Sequence, residues 1–131
     1  MIIHPDSSED AAFAGGRNIA MKVPAHQWRQ TVQFYRDLVG LKVIEPESAD
    51  GTSVCFEFGA NRLWIDRVAA LSQAEIWLEL TTGDLTRAVN RCECGGVVRR
   101  DEIEPLPEQV RGFWIENPAS IIHLVCEKGS E

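Results

Sequence analysis

A chain of 131 residues, 44% hydrophobic and 25% charged, is one ordinary domain's worth, long enough to bury about two-thirds of the surface its unfolded form exposes. Its formal net charge of −7 argues against capture of a phosphate backbone, because nonspecific nucleic-acid affinity comes mainly from Lys and Arg neutralising phosphates. No apolar run nears the ~20 residues of a membrane span, and MIIHPDSSEDAAFAGGR has acidic residues where a secretory signal carries positive charge. The expectation is a cytoplasmic globular protein with neither nucleic-acid nor membrane partners.

Residues 1–17 mix polar, small and Gly residues without a period and are expected to form a tail or arm outside the core. NIAMKVP alternates, Ile19, Met21 and Val23 on one face and Asn18, Ala20 and Lys22 on the other, as a half-buried strand does. From His26 to Val39 the apolar positions Trp28, Val32, Tyr35 and Val39 draw one helical stripe, which Gly40 can end in a left-handed conformation. Leu41–Ile44, Ser53–Phe58 and Arg62–Asp66 read as strands, with a loop over Glu45–Gly51 and a turn around Gly59-Ala60-Asn61. After a connector, Arg67–Gln73, the same order returns. Glu75–Thr81 alternates as a strand, and Asp84 is a helix N-cap ahead of the stripe Leu85, Ala88, Val89, Cys92, which Gly95-Gly96 closes. Val97–Asp101, Gly112–Glu116 and Ile121–Cys126 complete the strands, with a turn at Asn117–Ser120. Cys55, Cys92, Cys94 and Cys126 are scattered, and C-E-C at 92–94 lacks the second close pair of a structural zinc site; reduced thiols are expected.

Two successive βαβββ units of about 55 residues suggest paired halves, each with its helix on one sheet face and the other face left to line a second layer or a cavity. The residues that carry a family resemblance are the strand ending in V-P, then FYRDLVGL at 34–41, LTTGDLTRAV at 80–89 followed by GGVV, and RGFWIENPASIIHLV at 111–125. Together they resemble the two modules of the vicinal oxygen chelate superfamily, which includes glyoxalase I, bleomycin resistance proteins and extradiol dioxygenases. The resemblance covers residues 18–126. It implies an α+β fold of two βαβββ modules, about 18–67 and 74–126, within a domain over 18–131, forming a curved mixed sheet around an open cup. It also implies a homodimer, to which the apolar arm Met1-Ile2-Ile3 can contribute. A fold of this kind hosts many chemistries, so function must be argued from the site.

In metal-using members, four positions on the first and last strand of each module hold one divalent cation. Carried over, these positions fall on Asn18, within Leu63–Asp66, on Trp77 and on His123. Asn18 and Trp77 are not usual ligands, and Asp66 is the good donor in its segment. His123 and Asp66 fall short of the three protein ligands a catalytic site generally needs, and Glu75 or Glu79, on the Trp77 face of their strand, supplies a missing carboxylate only if the strand register differs by two. The expectation is therefore a protein without cofactor that binds a small, partly apolar or aromatic molecule, with Asn18, Lys22, Trp64, Trp77, Glu79, Trp114 and His123 as candidate lining. Lys22 and Glu79 can pair or orient a polar ligand. The alternative is an enzyme: a lyase, isomerase or dioxygenase with one divalent metal ion and altered ligands, or a metal-free enzyme with His123 as general base, since its ordinary pKa suits neutral-pH proton transfer. A third possibility is a structural module with its cup packed shut by Trp64, Trp77 and Trp114.

Overall fold

The structure is a computed structural model, and it describes residues 13–130. The arm Met1-Ile2-Ile3 and the rest of 1–12 lie outside the described residues. The described residues divide into two compact units, one over Arg17–Trp77 and the other over Leu78–Ser130 together with Phe13–Gly16. Among the described residues no helix is long and apolar enough to cross a membrane.

The Arg17–Trp77 unit begins with β2 (Asn18–Pro24), preceded in the chain by β1 (Phe13–Gly15), and continues through α1 (Ala25–Gln33), β3 (Val43–Glu45), β4 (Ser53–Phe58) and β5 (Asn61–Val68). Strands β2 and β5 are parallel, while β5 with β4 and β4 with β3 are antiparallel. Alternation works as the sequence implies: Val23, Val54, Phe56, Leu63 and Ile65 turn towards α1 and cluster with Trp28 and Val32, with Ile19 and Met21 against them. Trp28, 2% exposed, also donates its Nε1–H to the Ile65 carbonyl at 2.9 Å. Burial and hydrogen bond together fix the roll of the helix on the sheet.

The helix does not run uninterrupted to Val39. Its last turn, Phe34–Leu38, is a π-turn, with the Val39 amide donating to the Phe34 carbonyl at 2.9 Å. One extra residue per turn slips the apolar stripe, so Val39 is 50% exposed and Leu41 packs on the core in its place. Gly40, at φ +79°, makes the turn-back that lets the Leu41 amide reach the Tyr35 carbonyl at 2.9 Å. Consequently the strand expected at Leu41–Ile44 starts later, at Val43.

Strand β6 (Glu75–Thr82) crosses the division between the units, and α2 (Leu85–Cys94), β7 (Val98–Arg99), β8 (Gly112–Glu116) and β9 (Ile122–Glu127) follow. Here β6 and β9 are parallel, and β9 with β8 and β8 with β7 antiparallel. Both βαβββ orders, and the mixed α+β class, are therefore present. Asp84 caps α2, its carboxylate accepting from the Arg87 amide at 3.0 Å. The helix buries Ala88 and Cys92 against Phe113, Ile115 and Val125. Strand β7 is shorter than the expected Val97–Asp101 because the Asp101 carboxylate, not a backbone carbonyl, takes the Trp114 amide at 2.9 Å.

One expectation is corrected at the N-terminal side. Phe13–Gly15, read as tail, pair antiparallel with β6, Phe13 opposite Thr82 and Gly15 opposite Leu80. Phe13 packs on the Phe113–Val125 cluster. The segment is too short and too rich in Ala and Gly to show alternation, so only the unpaired edge of β6 recruits it.

Candidate functional site

In the Arg17–Trp77 unit the sheet face away from α1 carries side chains in rows that the pairing register fixes. One row runs Ser53, Asp66, Lys22, Glu75; the next runs Cys55, Trp64, Ala20, Trp77; a third runs Glu57, Arg62, Asn18. The four residues of this unit singled out from sequence, Asn18, Lys22, Trp64 and Trp77, thus share one face, and Asp66 shares it with them.

Chemistry in the first row centres on a buried ammonium. Lys22 is 4% exposed, and its Nζ lies 2.9 Å from an Asp66 carboxylate oxygen and 4.4 Å from the centroid of the Trp77 indole. Removing an ammonium from water costs several kcal/mol unless such partners replace the solvent. Asp66 in turn accepts from the Ser53 hydroxyl. An oxygen pair so engaged is a counter-ion already committed.

The second row is a floor with two walls. Ala20 lies between Trp64 on β5 and Trp77 on β6 and remains half-buried. Flanking strands place the two indole-bearing backbones two interstrand spacings apart, about 10 Å. Each ring is held by its N–H: Trp64 donates to Asn18 Oδ1 at 2.8 Å and Trp77 to Glu75 Oε1 at 3.0 Å. The Arg62 guanidinium sits 5.5 Å from the Trp64 ring centroid while bonding Glu45 at 3.2 Å. Cys55, opposite Trp64, is fully buried, and that burial pushes its thiol pKa up, keeping it a neutral thiol.

The other unit holds Glu79, Trp114 and His123, and here the register separates them. Glu79, Leu124 and Trp114 lie side by side across β6, β9 and β8. Glu79 is buried and presses close to Gly16, where a Cβ would run into its side chain. His123 takes the opposite face, paired with Leu78 and Ile115, on the side where Ile115 and Val125 meet α2. Its Nδ1 is 3.1 Å from the Ile121 carbonyl. The register thus sets Leu124, not His123, beside Glu79 and Trp114. The sequence run Ile121–Val125 is apolar on both faces, so alternation marked the two faces without saying which one the helix covers.

These donors do not fit a divalent ion. Among the described residues no group of three or more His, Cys, Asp and Glu side chains converges. Asp66 is taken by Lys22 and Ser53, Asn18 Oδ1 by an indole N–H, and His123 lies on the helix-covered face of its unit.

Ala20, Ser53, Cys55 and Glu75 were not singled out as lining. The signal for them was present: Ser53 and Cys55 alternate with core-directed Val54 and Phe56, and Ala20 sits between Asn18 and Lys22. Beyond the rows, a recess of about 340 Å³ is lined by Ala70, Leu71, Ser72, Gln73, Ala74 and Glu75.

No protein-family model and no curated protein matches this sequence. Solved structures do match its fold. A hypothetical protein from Bacillus halodurans C-125 superposes with a TM-score of 0.65 at 12% identity, covering 92% of this chain and 97% of its own. Methylmalonyl-CoA epimerase from Mycobacterium tuberculosis gives 0.61 at 15% identity over 86% and 87% of the two chains. A glyoxalase/bleomycin resistance protein/dioxygenase superfamily member from Vibrio splendidus 12B01 gives 0.58 at 12% identity over 84% and 97%.

Proposed function

We propose that this chain, with the fold shared by glyoxalase/bleomycin resistance/dioxygenase proteins, binds a small, flat organic molecule on the face of its first βαβββ unit and needs no metal to do so. The observation that carries the reading is Ala20, small and half-open between two indoles whose N–H groups are pinned by Asn18 and Glu75. Large rigid aromatic walls held in place give contact area at little conformational cost, and a methyl-sized floor leaves room above it. The names of similar structures span an epimerase and a dioxygenase superfamily member, so the fold alone does not choose a reaction. The geometry favours binding over catalysis because Asn18, Lys22, Asp66 and Arg62 beside the indoles are already engaged with partners on the same face. A homodimer belongs to the same reading and is checked by light scattering.

The test uses the indole N–H resonances of the four tryptophans. Neutral bicyclic aromatics, beginning with 2-naphthol, are titrated into EDTA-treated protein. Saturable shifts at Trp64 and Trp77, with Trp28 unmoved and the response lost in Trp64→Ala, support the reading. Shifts that appear only after a divalent metal is restored, or that survive Trp64→Ala, overturn it.

A further inference from the structure

The same face has a sign of charge, and it bears on the class of ligand. Around the indole-flanked floor stand four carboxylates, Glu45, Glu57, Asp66 and Glu75, and three cations, Lys22 and Arg62 beside the indoles and Lys42 opposite Glu57 at the β3 edge. The two cations beside the indoles are engaged, Lys22 by Asp66 at 2.9 Å and Arg62 by Glu45 at 3.2 Å. Both also lie over the two indoles, at 4.4 Å and 5.5 Å from the ring centroids. The chain's own side chains therefore show that positive charge is accommodated on these ring faces, as the negative quadrupole face of an indole favours. Separately, the recess over residues 70–75 has Glu75 as its one charged wall, the remaining lining being small, apolar or neutral. Glu75 is exposed, and one of its oxygens holds the Trp77 N–H, so the carboxylate is fixed at the junction of recess and floor.

Resting on the binding reading above, we infer that the ligand is a flat aromatic amine in its cationic form, its ring on Trp64 over Ala20 and its ammonium on Glu75 at the mouth of the recess. An aromatic carboxylate of the same shape is rejected, because it would set a negative charge against that of Glu75, and the cations beside the indoles, Lys22 and Arg62, are already engaged. Glu75 is the specificity-determining residue.

Two probes of matched ring and opposite charge decide the matter: 2-naphthylmethylammonium and 2-naphthoate, titrated by calorimetry at low salt into the full chain. The expected result is at least tenfold tighter binding of the amine, with the gap closing to within about twofold in Glu75→Gln, which keeps an acceptor for the Trp77 N–H. An unshifted Trp28 indole resonance verifies that the variant is folded. Equal affinities, or a tighter carboxylate, overturn the charge inference and leave the binding reading standing. A gap undiminished in Glu75→Gln overturns the assignment to Glu75. Failure of both probes to bind saturably, or binding undisturbed by Trp64→Ala, removes the site itself and the inference with it.

Discussion

The Lys22 ammonium and the Asp66 carboxylate, 44 residues apart in sequence, lie opposite each other across parallel strands β2 and β5 and meet at 2.9 Å. Lys22 is nearly sealed from solvent on the side of the pair, with 6% of its side chain exposed against 19% for Asp66. Such a pair is strong evidence of mutual dependence and weak evidence of net stabilisation, because the desolvation of two charges opposes their attraction.

Lys22→Met should therefore destabilise the protein by about 3 kcal/mol, the low end for orphaning one partner of a buried pair, since Asp66 keeps some water. Asp66→Asn alone should cost a similar amount by stranding the ammonium. The double variant Lys22→Met/Asp66→Leu should recover most of the loss. A urea-denaturation cycle measures the coupling; additive losses would mean the two charges do not depend on each other.

His123→Gln is expected to leave the affinity of any ligand bound on the indole face within about twofold, since His123 turns towards the α2 side of its own unit beside Leu78 and Ile115. Calorimetric titration of the variant checks this. A tenfold loss would restore the histidine to the site.

Gly112→Ala should be among the worst single-atom additions in the chain. A Cβ at this position would run into the Val125 carbonyl, which is backbone in a paired neighbouring strand and cannot swing aside. A loss of about 3 kcal/mol, or failure to accumulate as folded protein, is expected from overpacking of this kind. Thermal unfolding beside Gly15→Ala, where a Cβ meets nothing within 4 Å, isolates the steric cost.

Thiol chemistry should be sharply graded. Cys94 is exposed, whereas Cys55, Cys92 and Cys126 are buried, so one thiol should react quickly with a disulfide reagent at pH 8 and the others only as the chain opens. For Cys55 and Cys92 burial raises the folded-state pKa above the ordinary value of 9.0. A thiol whose folded pKa is raised contributes stability that is intact below the unfolded pKa and is lost as pH climbs through the folded one. Stability should accordingly decline above about pH 9, and Cys55→Ser/Cys92→Ala should flatten that decline in equilibrium unfolding across pH 7 to 10.5.

Ser120 sits at φ +65°, in a turn where Asn117 Oδ1 accepts the amides of Ala119 and Ile121, each at 2.9 Å. A left-handed conformation costs a side-chain-bearing residue about 1–2 kcal/mol relative to glycine. Ser120→Gly should raise the unfolding free energy by about 1 kcal/mol, less what glycine adds to the entropy of the unfolded chain. Chemical denaturation measures the gain, and no gain would mean the turn stores no strain.

The sequence by itself determined the two βαβββ orders, the face on which Asn18, Ala20 and Lys22 lie, and the Asp84 cap. Each is a local matter of period and end chemistry, set by residues within a turn or a strand of one another. Tertiary structure alone decided the rest. Lys22 meets Asp66, Trp64 meets Asn18, and Ala20 falls between two indoles only because strands distant in sequence pair in one register. The facing of His123 depended on which side of β9 the helix α2 covers, and the slip of Val39 out of the stripe on a single π-turn. A one-residue difference in register or winding moves a side chain to another face, and a period cannot report it where both faces are apolar.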